Sequence, residues 1–388
     1  MFAEISYQTA VNVPELKRIF EKNFTERGEL GASVSVWKRG EEIVSLNSGW
    51  CEREQEGAWT AETLVPFYSC TKGLAAATLL MILEEHGLTP DDKVPAVWAD
   101  FPIKEGSFGQ LMSHQLGLAA LDTEASTWDH DEVIAAVEKQ QANWPLEDEG
   151  RHGDGGHGYH PRVLGFIQDE IVRRLTGNTL GQMWRQKIAE PLGLEAWIGL
   201  PESEFGRVAR LYPGKQSQAD VDSQFYKQLN TPDSLVKRAF ASPRGMQSVR
   251  EMNEPRAWQA GFPAMGGVGT ASAVAKFYQA ACGAIEFFSP QVREWMECAR
   301  TSGDDKILCA PTAFSCGFQL DPLDSFGRKT RHHYGLSRRA FGHPGAGGSL
   351  AFGDPENGLS FCYVMNQMEL CSLPRDKCLD LVKAIYVL

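Results

Sequence analysis

Pro66-Phe67-Tyr68-Ser69-Cys70-Thr71-Lys72-Gly73, followed without a break by Leu74-Ala75-Ala76-Ala77-Thr78-Leu79-Leu80-Met81-Ile82-Leu83, is the stretch from which the fold reads outward. Ser69 stands three residues before Lys72 at the opening of a strongly helical apolar run, a spacing that puts hydroxyl and ammonium one turn apart on one helix face. A serine hydroxyl is a poor nucleophile at neutral pH and needs a neighbouring base. Burial lowers a lysine pKa by stripping water from the charged form, and the field at a helix N-terminus acts in the same direction. The same N-terminus leaves backbone N–H groups to receive an oxyanion. One short segment can supply nucleophile, base and half an oxyanion hole.

Ser-x-x-Lys occurs three times, at Ser35 and Lys38, Ser69 and Lys72, and Ser234 and Lys237, so context has to choose. Ser35 lies in Ala32-Ser33-Val34-Ser35-Val36-Trp37-Lys38, whose alternation reads as a strand, where residues three apart face opposite ways. Ser234 follows Thr231-Pro232-Asp233 and opens at most a short helix. Only Ser69 is followed by enough apolar bulk to bury a helix. The competing reading makes Ser69 an N-cap and Lys72 a solvated side chain.

The 388 residues suggest one large or two medium domains. With 38 basic and 50 acidic residues the net charge is −12, which disfavours a nucleic-acid surface or an anionic membrane face. The longest apolar run is too short to cross a bilayer. Met1-Phe2-Ala3-Glu4-Ile5-Ser6 carries an early acid and no basic region before an apolar stretch, so no signal peptide is expected. The nine cysteines are scattered, odd in number and lack Cys-x-x-Cys, a pattern that fits free thiols in a reducing cytoplasm.

Along the chain, Val13 to Phe24 reads as a helix, and Ala32 to Lys38 and Glu42 to Ser48 as a hairpin turning at Arg39-Gly40. The Ser69 helix stops near His86-Gly87. Residues 89–250 offer few strands and several helical stretches, Ile134 to Gln141, Leu164 to Leu175 and Leu180 to Ala189, and Gln110 to Leu118 reads as a short helix ending near Gly117. Phe314 to Leu320 alternates as a strand. Ser349 to Gly353 and Leu359 to Asn366 make a second hairpin, with Leu359, Phe361, Tyr363 and Met365 on one face and Ser360, Cys362 and Val364 on the other. Leu373 to Leu388 closes as a helix. The expected fold class is α+β: residues 1–88 and 251–388 share one antiparallel sheet flanked by helices, residues 89–250 form a mostly helical insertion, and the active site lies between them.

Other candidate sites are weaker. Gly153-Asp154-Gly155-Gly156-His157-Gly158 matches a dinucleotide fingerprint, but the acidic stretch before it is no strand. His152, Asp154, His157 and His160 lack metal-ligand spacing, so no metal is expected. No Gly-x-Ser-x-Gly elbow is present. Tyr159, between a glycine-rich loop and a helix, can point its phenol into a cleft, or pack under the loop as an ordinary aromatic. Phe341-Gly342-His343-Pro344-Gly345-Ala346-Gly347-Gly348-Ser349 is a glycine-rich strand that lets a ligand or another backbone come close, or a bulged edge.

Taken in order, Ser69-Cys70-Thr71-Lys72, Tyr159 and His343-Pro344-Gly345 resemble the three motifs of the serine β-lactamase and penicillin-binding-protein superfamily. Leu111-Met112-Ser113-His114-Gln115-Leu116-Gly117-Leu118 and Glu190-Pro191-Leu192-Gly193-Leu194 are similar to segments of its class C-like branch. Two departures refine the resemblance. Tyr-x-Asn reads Tyr159-His160-Pro161, and Lys-Thr-Gly reads His343-Pro344-Gly345, so the amide and the lysine that would hold a β-lactam are gone. Such replacements, with Gly342-His343-Pro344-Gly345-Ala346-Gly347-Gly348-Ser349, are similar to the family VIII carboxylesterases. The resemblance implies acyl transfer to Ser69, with Lys72 and Tyr159 moving its proton, the N–H groups of Ser69 and Ala346 holding the oxyanion, and His343 and Gly345 at the substrate. It implies a small-molecule ester substrate and no cofactor. The alternatives are a β-lactamase or a D-amino-acid amidase or peptidase, which share the acyl-enzyme, and a non-catalytic binding protein of the same fold.

Overall fold

The computed structural model describes residues 6–9, 13–146, 156–215, 223–371 and 373–387. In chain order its strands are β1 (Ser6–Thr9), β2 (Gly31–Lys38), β3 (Glu41–Gly49), β4 (Val65–Pro66), β5 (Ala196–Ile198), β6 (Gly267–Gly269), β7 (Thr301–Asp304), β8 (Pro311–Phe314), β9 (Gln319–Leu320), β10 (Phe341–Pro344), β11 (Leu350–Asp354) and β12 (Leu359–Met365). Nine of them form one antiparallel sheet in the order β1-β3-β2-β12-β11-β10-β9-β8-β7, while β4, β6 and β5 make a small second sheet. β2 and β3 turn at Arg39 and Gly40, both at positive φ, 52° and 87°. That is the two-residue turn whose twist matches the hairpin.

β12 shows why the sheet lies where it does. Leu359, Phe361, Tyr363 and Met365 pack with Leu16, Ile19, Phe20 and Phe24 of α1 (Pro14–Thr25) and with Leu381 and Ile385 of the closing helix Asp376–Ile385. Cys362 and Val364 face the other core, built around α2 (Thr71–Glu85) and the helix Ala271–Ala281. The alternation along β12 thus divides two cores, and both faces of the strand are buried. α2 has twelve of its fifteen residues buried, so it runs through the interior as a central helix without a solvent face.

The helix read over Ile134 to Gln141 spans His130–Glu138, and the closing helix spans Asp376–Ile385; three further stretches also differ from the sequence reading. Phe314 to Leu320 is two strands, because Gly317 sits at φ 86° and the Ser315 N–H donates to the Phe318 carbonyl at 2.9 Å, folding β9 back on β8. The helix read over Gln110 to Leu118 spans Phe108–Met112: His114 adopts φ 66°, which no helix continues through. The stretch read from Leu180 to Ala189 is α-helical over Leu180–Trp184 and then widens into a π turn over Arg185–Ala189. Alternation and periodicity register apolar spacing, and none of these backbone reversals disturbs it.

The helix Val163–Thr176 comes so close to the segment before β6 that a Cβ on Gly165 would lie 2.5 Å from the Ala264 nitrogen. Alanine normally exceeds glycine in a helix by about 1 kcal/mol. Here the sign should reverse: Gly165→Ala is expected to lower stability by about 1–2 kcal/mol, overpacking outweighing the helix gain, read as a lower urea midpoint at unchanged m-value.

Candidate active site

Ser69 sits in the tight turn Tyr68–Cys70 that joins β4 to α2. Tyr68 is held at φ 48°, an uncommon conformation for a bulky side chain and of the strained kind found at functional sites. Thr71 fastens the turn: its hydroxyl donates to the Tyr68 carbonyl at 2.5 Å and accepts from the Gly267 N–H at 2.8 Å, tying the start of α2 to β6. Ser69 is half-buried at the surface of this knot.

Lys72, one turn on, is 1% exposed. Its Nζ lies 3.3 Å from Ser69 Oγ, 2.8 Å from the Pro161 carbonyl and 2.8 Å from the Ala264 carbonyl. Burial, reinforced by the Arg162 guanidinium, holds its pKa well below the ordinary lysine range. The two carbonyls favour the ammonium, but they serve a neutral amine equally as acceptors for its two N–H groups. An amine so held has its remaining direction, the lone pair, toward Ser69 Oγ.

Tyr159 is brought to the same place from the helical side. Its phenol lies beside the Ser69 side chain, and its ring centroid is 4.8 Å from Lys72 Nζ. Burial raises its pKa, keeping the phenol protonated at neutral pH. His114, Phe314 and His343 wall the ring at centroid distances of 5.0, 6.3 and 5.8 Å. The backbone is pinned on both sides: the Tyr159 N–H donates to the Asp305 carboxylate at 3.0 and 3.2 Å, and the His160 N–H donates to His114 Nδ1 at 3.1 Å. His160 Nε2 accepts from the Leu118 N–H at 2.8 Å, which leaves the proton on Nδ1, donated to the Gly158 carbonyl at 2.7 Å. Arg162 sends its guanidinium to the carbonyls of Phe240, Gly245 and Met246, and burial pulls its pKa down to about 10.

The third wall is β10. His343 is buried, and its Nδ1 bonds the Pro344 carbonyl at 2.7 Å, so Nε2 is an acceptor, here buried and without a protein donor. The Cys70 thiol donates to the His343 carbonyl at 3.2 Å, clamping β10 to the nucleophile turn. A Cβ on Gly345 would lie 2.3 Å from the Phe67 carbonyl, so glycine is what allows this approach. The Gly345 N–H is taken by the Ser349 carbonyl at 2.7 Å, and Ala346 follows, exposed, at the turn.

Ser69, Lys72, Tyr159, His343 and Gly345 therefore converge, with Ala346 at the open end of β10. The other two Ser-x-x-Lys copies have ordinary partners: Ser35 Oγ donates to Glu42 at 2.6 Å, and Ser234 caps its helix by accepting from the Lys237 N–H at 3.1 Å. His152 and Asp154, with the first half of the Gly-x-Gly-x-x-Gly match, lie outside the described residues. His157 bonds Thr312 and Thr301. Sequence reasoning missed the parts of Asp305, Arg162 and the Ala264 carbonyl; a backbone acceptor has no residue-type signal, and Asp305 stands in no motif.

A half-buried serine beside a buried lysine and tyrosine, between an antiparallel sheet and a helical layer, is the arrangement of a hydrolase of the β-lactamase fold. The chain belongs to the beta-lactamase family, whose model matches residues 16–377. It is 26% identical over 369 residues to the esterase/beta-lactamase LipL of Mycobacterium tuberculosis, covering 90% of this chain and 80% of that protein. Among solved structures, a family VIII carboxylesterase matches with TM-score 0.84 and 28% identity, and a penicillin-binding-protein homolog from Caulobacter crescentus with 0.82 and 29%, each over 99% of both chains.

The buried histidines make a stability prediction. Burial holds His160 and His343 at about 3, well below the ordinary histidine value. Between about pH 6.5 and 3 the unfolded chain binds protons there that the folded chain refuses, so stability is full above that window and falls as pH drops through it. At pH 5 each should cost on the order of 2 kcal/mol. Urea titrations at pH 7 and 5 should show a loss smaller by about that amount in His343→Gln than in the wild type.

Proposed function

We propose that this chain is a serine carboxylesterase acting on small esters through an acyl-enzyme. The observation that carries the reading is the environment of Lys72: a buried amine with two carbonyl acceptors and Ser69 Oγ as its third neighbour. Such an amine is a general base aimed at one hydroxyl.

In this reading neutral Lys72 takes the proton as Ser69 Oγ bonds to the ester carbonyl carbon. The carbonyl oxygen, now negative, is held by the N–H groups of Ser69 and Ala346; Pro344 has no N–H to give. The protonated Tyr159 phenol, beside Ser69, gives its proton to the departing alkoxide and recovers one from Lys72. Water then attacks the acyl-serine, losing its proton along the same path, and Ser69 is regenerated. Every proton thus travels between groups of this chain, and no cofactor enters.

Ester rather than β-lactam is favoured at β10. His343 stands where a cation would be needed to hold a carboxylate, and burial keeps it neutral. The relatives' names, a family VIII carboxylesterase and an esterase/beta-lactamase, agree with this preference. We further propose residues 1–88 with 251–388, and 89–250, as the two domains; in support, the nine-stranded sheet draws every strand from the first pair. A cytoplasmic location is the matching inference from nine cysteines, all unpaired. No helix among the described residues is long and apolar enough to cross a membrane.

Turnover of p-nitrophenyl butyrate and of a chromogenic cephalosporin, side by side, tests the reading. Ser69→Ala should abolish ester hydrolysis, Lys72→Ala and Tyr159→Phe should each lower kcat by about 10²–10⁴, and His343→Ala should matter far less. Fast cephalosporin cleavage would overturn the ester assignment. Full activity in Tyr159→Phe would overturn the proton path.

A further inference from the structure

We propose that Asp305 is the positioning residue for Tyr159, holding its phenol in line with Ser69 from the far side of the sheet hairpin; the proposal rests on the reading of Tyr159 as the leaving-group acid. Asp305 opens the loop between β7 and β8, and its carboxyl group is wholly buried. Oδ1 accepts from the Ile307 and Leu308 N–H groups, both at 2.8 Å, and Oδ2 accepts from the Thr312 hydroxyl at 3.1 Å. These bonds fold the loop on itself. The bond shared by both oxygens leaves the hairpin and goes to the Tyr159 N–H, 146 residues away in sequence.

The surroundings fit that use. The Lys306 N–H donates to the His157 carbonyl at 3.1 Å, so residues 157–159 lie along the loop with Tyr159 opposite Asp305. His157 Nε2 lies 3.9 Å from Asp305 Oδ2, beyond hydrogen-bond reach of the carboxylate. The single Thr312 proton goes to Asp305, so His157 Nε2, 2.7 Å from Thr312 Oγ1, must donate to that oxygen and supports Asp305 through it. Asparagine is a poor substitute: with its oxygen kept at Oδ1, its NH₂ takes the place of Oδ2, which accepts from the Tyr159 N–H at 3.2 Å and from the Thr312 hydroxyl at 3.1 Å, so a donor faces donors. The direction of the Tyr159 ring starts from its backbone, and the phenol has to meet Ser69 while the ring stays beside Lys72. A displacement near 1 Å at such a group costs about a hundredfold in rate.

The test is a double-mutant cycle on kcat and KM for p-nitrophenyl butyrate, with Asp305→Asn, Tyr159→Phe and the pair. Asp305→Asn should lower kcat by about tenfold to a hundredfold with KM within about threefold, and should have less than about a twofold effect once the phenol is gone. Leu308→Ala, which empties a buried side chain of the same loop and keeps every hydrogen bond to Asp305, should lower the urea midpoint yet leave kcat within about threefold. If the Asp305 and Tyr159 effects multiply, or if Leu308→Ala loses as much kcat as Asp305→Asn, Asp305 supports the fold only and the proposal fails. Full activity in Tyr159→Phe alone overturns the proton path instead, and is seen in the same cycle. Should Asp305→Asn not fold, Asp305→Glu, which keeps both oxygens one methylene too far, is taken through the cycle with the same expectations.

Discussion

The burial of one lysine nitrogen organises this molecule. An ammonium taken from water is costly, and a neutral amine is less so only if its N–H groups find acceptors. Lys72 finds them in the carbonyls of Pro161 and Ala264, from segments far apart in sequence. Each carbonyl has to be held in turn. Pro161 precedes Arg162, whose guanidinium gathers three carbonyls of residues 240–246, and Ala264 is pressed against Gly165. The electrostatics of one side chain thereby depend on close packing along the helix Val163–Thr176.

The sheet answers from the other side. β10 reaches the nucleophile turn through the Cys70 thiol and the bare Cα of Gly345, and the β7–β8 loop reaches Tyr159 through Asp305. The helical layer supplies His114 and His160, both buried with pKa values pushed down. Their ring nitrogens act as fixed neutral acceptors for the backbone N–H groups of His160 and Leu118. The result is a site in which, among the described residues, Lys72 is the basic side chain directly beside the nucleophile, and the histidines around it are held neutral.

Much of this was legible in the residues. The Ser69 knot could be read because it combines a chemical spacing with an apolar run, and β12 because alternation maps directly to two faces, which the two cores then occupy. The ends of Phe108–Met112 and the break at Gly317 were not legible, since a positive-φ residue leaves hydrophobic spacing intact. The site was readable where side-chain type carries the chemistry, at Ser69, Lys72 and Tyr159. It was opaque where backbone does, at Pro161 and Ala264, and at Asp305, whose partner is a peptide N–H. Spacing along a chain says little about which amide will meet which acid.

The pairing of β2 with β12 has a temporal consequence. Val34 finds its partner in Tyr363, so the third strand of the sheet has one free edge until Tyr363, 329 residues further on, has left the ribosome. Until then the largely apolar α2 lacks β10 and the sheet behind it, a period of exposure that long-range topologies share and that invites chaperone capture. A chain cut before β12 lacks the strand that ties the β10–β11 hairpin to β2, and with it the support that keeps β10 against Cys70 and Phe67.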